Sequence, residues 1–163
     1  MTTEPRADQP KALRLSRTID APVELVFEAW STAEHVGQWF SPERYSSPEA
    51  TVEMRVGGLF EVCMRAPDGS KTWTRGRFAE IDPNRRLVLD LHAETADGRR
   101  LFGAYTEVDF IAEGQRTRLD IVQTYDAADP SLVAHMIKGA PMGWSQTLDK
   151  LEAEVARMRD GRR

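Results

Sequence analysis

TRLDIVQTYDAADPSLVAHMIKGAPMGWSQTLDKLEAEV, residues 117–155, contains the change of rhythm on which the fold turns. As far as Tyr125 the pattern has period two: Leu119, Ile121, Gln123 and Tyr125 share one face of an extended chain. From Pro130 the period becomes 3.6. Trp144, Leu148, Leu151, Val155 and, just beyond, Met158 then form one stripe with polar residues between, which predicts a long helix burying a single face. The GAPMG run at 139–143 predicts a break, since Pro141 removes an amide donor and crowds the preceding turn; the expectation is a short helix over 131–138 and a main one from Pro141.

Upstream of this switch the chain reads as strands: ATVEMRV, LFEVCMRA, TWTRGRFAEI, RLVLDLHAE and FGAYTEVDFI precede TRLDIVQTY. The separators GG, PDGS, DPNR, ADGR and AEGQ are hairpin chemistry, in which Gly, Asn and Asp accept positive φ. Links this short make each strand antiparallel to the one before. Near the start, Leu13, Leu15, Arg17 and Ile19 alternate as a further strand, and DAPVELVFEAW places Val23, Val26, Phe27 and Trp30 at helical spacing behind Pro22. The order is strand, two short helices, six strands, long helix. It predicts an α+β fold in which a seven-stranded antiparallel sheet covers its apolar face with the C-terminal helix, leaving a space where a twisted sheet and a straight helix diverge. Residues 1–12, with two prolines and little to bury, are expected to be a disordered tail; 13–159 form one domain and 160–163 a C-terminal tail.

Charge narrows the partners. With 22 basic and 26 acidic residues the net charge is −4, which disfavours nucleic acid and anionic membranes. The single cysteine, Cys63, cannot form an intrachain disulfide, and no apolar run approaches a membrane span or a signal h-region, so a cytoplasmic protein without membrane insertion is expected.

The segments TIDAPVELVFEAWS, WFSP, VGGLFEV, GRFAEIDPNRRLVLDL, TEVDFIAEGQRTRLDI and GWSQTLDKLEAEV resemble, in order and spacing, the bacterial single-domain members of the heat-shock-protein-90 ATPase activator homologue family, within the START-like, birch-pollen-allergen-like (SRPBCC) superfamily. The resemblance spans residues 13–158. It implies a helix-grip fold around a deep hydrophobic cavity, with the Trp39–Phe40 pair ending the second short helix at the cavity mouth, as wall, gate or plug. Trp30 reads as plain core.

Alternation aims further side chains at the cavity: Phe60, Val62 and Met64; Leu87, Leu89 and Leu91; and the set ending in Gln123 and Tyr125. A glutamine on an apolar face must find a partner, from a ligand, water or a neighbouring group, or cost about 1–3 kcal/mol. The expected ligand-binding set is Trp39, Phe40, Phe60, Met64, Leu89, Gln123, Tyr125, Met136 and Trp144.

Catalytic chemistry finds less support. His35, His92 and His135 are scattered without metal-ligand spacing; His92 is expected to face solvent and His135 to reach toward a cavity opening. Cys63 alternates with Val62 and Met64 onto the outer face, and no nucleophile elbow is present. Glu94, Glu107, Asp120, Arg75 and Arg77 lie on polar strand faces. No catalytic residue, metal or cofactor is assigned. The leading expectation is a protein that binds a small hydrophobic molecule, aromatic or lipid-like. A metal-free polyketide cyclase or hydratase is the first alternative. A co-chaperone acting through its surface is the second, weakened by the lack of the additional domain that eukaryotic activators carry. A protein partner or a homodimer stays open.

Overall fold

The computed structural model describes residues 12–162. Strand β1 (Ala12–Ile19) is followed by helices α1 (Val23–Ala29) and α2 (Ala33–Trp39), then by β2 (Ser46–Val52), β3 (Leu59–Arg65), β4 (Lys71–Asp82), β5 (Arg86–Thr95), β6 (Arg100–Glu113), β7 (Arg116–Asp126) and α3 (Pro130–Asp160). The seven strands form one sheet in the order β1-β7-β6-β5-β4-β3-β2, every neighbouring pair antiparallel. The seven-stranded antiparallel sheet and closing helix expected from the change of period, and the α+β helix-grip fold that the resemblance implies, are therefore present. Residues 1–11 of the expected tail lie outside the described residues, and Ala12 already belongs to β1.

Turn chemistry sets the meander. Asn84 (φ 63°) and Gly98 (φ 90°) hold the left-handed conformations that close the β4–β5 and β5–β6 hairpins. Strand β2 begins earlier than its sequence pattern suggests, at Ser46, with Pro48 inside it. A proline is tolerated there because β2 is an edge strand and the ladder is irregular between Ser46 and Glu49. Residues 53–58, expected to be partly strand, form the turn into β3.

The expected break at Pro141 does not occur: α3 is one helix of 31 residues. Its N-terminus is capped by Asp129, whose carboxylate accepts from the Ser131 N–H at 2.9 Å. Pro141 and Met142 are exposed, so the Ile137 carbonyl that loses its helical partner belongs to a stretch open to solvent. Continuity comes from the second half, where Trp144, Leu148, Leu151, Val155 and Met158 are buried against the sheet and the short helices.

An aromatic cluster fills one end of the core. Trp39 packs edge-on against Trp30 (4.7 Å between centroids), and Trp30 and Phe27 both meet Phe110 of β6 edge-on, at 6.1 and 5.2 Å. The Trp39 indole N–H donates to the Ala29 carbonyl at 2.9 Å, tying α2 to the end of α1. These rings are buried, as are Leu87, Leu89, Leu119 and Ile121 on the sheet.

Candidate functional site

None of residues 130–143 is buried, although Val133, Met136, Ile137 and Ala140 rest partly against the core. Beneath this first half of α3 lies a cavity of about 230 Å³. Its floor is the concave face of the sheet: Met64 of β3, Thr72 and Thr74 of β4, Leu91 and Ala93 of β5, Phe102 and Ala104 of β6, Gln123 and Tyr125 of β7. Met136, Ala140, Gly143, Trp144 and Thr147 of α3 form the roof. Phe40, Ser41 and Pro42, immediately after α2, close one side.

Gln123 organises the polar part of this wall. Its amide N–H donates to the Thr106 hydroxyl at 2.9 Å, and that hydroxyl donates onward to the Ala104 carbonyl at 2.9 Å. Its amide oxygen accepts from the Trp144 indole N–H at 3.0 Å and from the Tyr125 hydroxyl. An indole nitrogen only donates, so the oxygen of the amide must face Trp144, and the orientation of the side chain is fixed. The partner that the sequence demands for a glutamine on an apolar face is thus a ring of side chains. Burial pushes the Tyr125 phenol up to about 12, against the opposing pull of the nearby Trp144, so it is neutral at physiological pH.

The rim beside Phe40 is pinned by Lys150 of α3. Its ammonium donates to the Ser41 hydroxyl (3.0 Å) and to the carbonyls of Pro42 (2.9 Å) and Tyr45 (2.8 Å). Burial lowers its pKa, with Glu43 pulling the other way. Below the cavity, Glu154 is a buried carboxylate. It accepts from Arg157 Nε at 2.8 Å and Nη2 at 2.7 Å and lies 2.7 Å from His35 Nδ1, which joins α2 to α3.

The structure brings together Phe40, Met64, Gln123, Tyr125, Met136 and Trp144 of the expected set around the cavity. Trp39, Phe60 and Leu89 are not in its wall. Trp39 is fully buried because the end of α2 directs its ring toward α1, whereas Phe40, the next residue, turns to the cavity side and covers Phe60 edge-on at 5.2 Å. Leu89 lies on the concave face opposite Thr106 and Phe78, deeper than the cavity floor. Phe102 and Ala104 follow the same alternation as Val108 and Phe110 and were legible as inward-facing; the rim residues Ser41 and Pro42 and the role of Lys150 carry no periodic signal.

The histidines and the cysteine differ in detail from expectation. His135 is exposed and outside the cavity wall. His92 is half-buried rather than simply solvated: it belongs to the cavity lining with its neighbours Leu91 and Ala93, while its Nε2 lies 3.1 Å from Glu94 on the outer face. There Arg75 pairs with Glu61 (2.7 Å) and Glu94 (3.3 Å) and stacks over Trp73 (4.0 Å to the ring centroid). Cys63 is on this outer face, opposite Trp73, yet fully buried, and burial pushes its thiol up. Among the described residues no three His, Cys, Asp or Glu side chains converge as metal ligands, and no helix is long and apolar enough to cross a membrane.

Residues 20–156 match the family described as Activator of Hsp90 ATPase homolog 1-like protein. The chain belongs to this family. Among solved structures, a protein of Chromobacterium violaceum is similar at 26% identity, with a TM-score of 0.77 over 90% of this chain and 97% of that one. A Nitrosomonas europaea protein gives 24% identity and a TM-score of 0.77 over 91% and 96%. The AHSA1 protein of Silicibacter pomeroyi gives 23% identity and a TM-score of 0.76 over 90% and 99%. No curated protein matches the chain. Within the family's matched span lie the whole cavity wall, the Gln123 network and the Glu154–His35 pair, while β1 and the last turn of α3, which carries Arg157, extend beyond it.

Proposed function

We propose that the protein binds a small hydrophobic molecule between the sheet and the first half of α3. The observation that carries this reading is the cavity of about 230 Å³, walled by Phe40, Met64, Leu91, Phe102, Met136 and Trp144. An apolar cavity of about 150 Å³ holds a benzene molecule, so this one has room for a ring with a short substituent or for two fused rings. Four aromatic side chains, Phe40, Phe102, Tyr125 and Trp144, surround the space, with Phe40 and Trp144 edge-on to each other at 6.4 Å and Phe102 and Tyr125 at 6.0 Å. That arrangement offers ring faces and edges to an aromatic guest.

Naphthalene is a suitable probe because it carries no polar group and its binding reports the cavity alone. Titration followed by tryptophan fluorescence and calorimetry is expected to show one site per chain, with emission altered through Trp144. Ala140→Trp, which projects a large side chain from the half-buried roof into the cavity, is expected to abolish the binding while the chain unfolds as cooperatively as the parent. Binding that survives this substitution, or no binding by the parent, overturns the reading. Native mass spectrometry of protein purified from its own host then identifies the natural occupant by mass.

A further inference from the structure

The polar corner of the cavity says what kind of apolar molecule it takes. Hydrogen-bond directions there leave little freedom. Both acceptor positions of the Gln123 amide oxygen are taken, by Tyr125 and Trp144. The Thr106 hydroxyl accepts from Gln123 and donates to Ala104. Two capacities are left in this corner: the second N–H of the Gln123 amide, a donor, and the lone pair of the Tyr125 oxygen that does not face the Trp144 indole N–H, an acceptor. Both residues line the cavity, and the Tyr125–Gln123 hydrogen bond places the phenol oxygen next to the amide group.

A single hydroxyl oxygen satisfies both at once, accepting from Gln123 and donating to Tyr125. A carbonyl oxygen accepts only. A carboxylate also accepts only, and it would bring its charge against the Tyr125 oxygen. Nor is a cation free to neutralise it: no lysine or arginine lines the cavity, the ring of His92 in its lining is engaged by Glu94, and Lys150, which reaches the rim, has its three ammonium protons engaged by Ser41, Pro42 and Tyr45. A phenolate at Tyr125 is also excluded near neutral pH, so the acceptor stays an uncharged phenol. Burying an unpaired carboxylate is among the most unfavourable steps in recognition.

We infer that the cavity selects a neutral, single-ring or similarly compact alcohol or phenol, with its hydroxyl held between Gln123 and Tyr125, and rejects the corresponding carboxylate. The inference rests on the cavity reading above and names the chemical class of its occupant.

Three probes of one skeleton test it on the full chain by calorimetry at pH 7: 4-ethylphenol, ethylbenzene and 4-ethylbenzoate. The parent is expected to bind the first two and to bind 4-ethylbenzoate at least about a hundredfold more weakly than 4-ethylphenol. Tyr125→Phe removes the acceptor and is expected to weaken 4-ethylphenol about tenfold while leaving ethylbenzene within about twofold. Equal binding of the carboxylate and the phenol by the parent overturns the inference without any variant and leaves the cavity reading standing. A Tyr125→Phe protein that melts like the parent and holds 4-ethylphenol unchanged overturns it as well. Failure of all three probes to bind overturns the cavity reading itself, and this inference with it.

Discussion

The two halves of α3 share one backbone helix and do different work. The second half, from Trp144 onward, buries Trp144, Thr147, Leu148, Leu151, Glu154, Val155 and Met158, whereas residues 130–143 bury none. The second half clamps the sheet; the first bridges a gap. Helix formation is cooperative, so an anchored half extends a neighbour with little packing of its own. What separates anchor from bridge is tertiary contact, and the cavity is the space left under the bridge.

The comparison is broken most directly in the anchor. Leu148→Ala removes a side chain that is 1% exposed and should cost about 2–5 kcal/mol in urea unfolding. Met136→Ala, in the bridge, should cost less than about 1 kcal/mol, since its side chain is only half-buried. Equal losses would mean that both halves carry the fold alike.

A smaller effect is expected at Glu154, where the anchor meets α2. Burial by itself would raise this carboxyl, but the Arg157 guanidinium and the His35 ring outweigh it and hold the pKa below the ordinary glutamate range. A value depressed in the folded state means that the carboxylate stabilises the fold above its unfolded pKa and that this contribution is lost as pH falls through the folded one. Glu154→Gln should therefore be less stable than the parent by about 1–3 kcal/mol at pH 7. The difference should close as pH drops below about 4.3, the unperturbed glutamate value. Urea melts between pH 3 and 7 measure it; a gap independent of pH would assign the loss to packing.

The smallest effect sharpens the comparison within the bridge. Native-state hydrogen exchange should show the amides of 132–140 opening more readily than those of 145–156, because the former lie in a stretch without buried residues. Pro141→Ala restores a backbone donor to the Ile137 carbonyl and should raise the opening free energy of that stretch by about 1 kcal/mol, part of the helix gain being offset by greater freedom of the unfolded chain. No change in protection would show that the proline is already fully accommodated.

How much of the site was legible follows from what each kind of pattern reports. Alternation correctly placed Met64, Gln123 and Tyr125 on the inward face, since side-chain direction in a strand is local. It placed Phe60 and Leu89 on the same face with equal right, but face is not depth: Phe40 and Phe78 cover Phe60, and Leu89 sits below the floor. The Trp39–Phe40 pair marked the right corner of the fold and not which ring faces the cavity, a choice made by the roughly 100° turn between successive helical positions. The break expected at Pro141 weighed a local penalty without the packing of the following half, which outweighs it.

The sequence by itself determined the antiparallel meander, the closing helix and the apolar faces of both, because period, turn residues and charge are local properties that survive in any context. Only the tertiary structure decided where the helix lies against the sheet and where it stands clear of it. A cavity is a property of the distance between elements remote in the chain, and the Gln123, Tyr125 and Trp144 hydrogen bonds that mark its polar corner exist only once β7 and α3 are packed together.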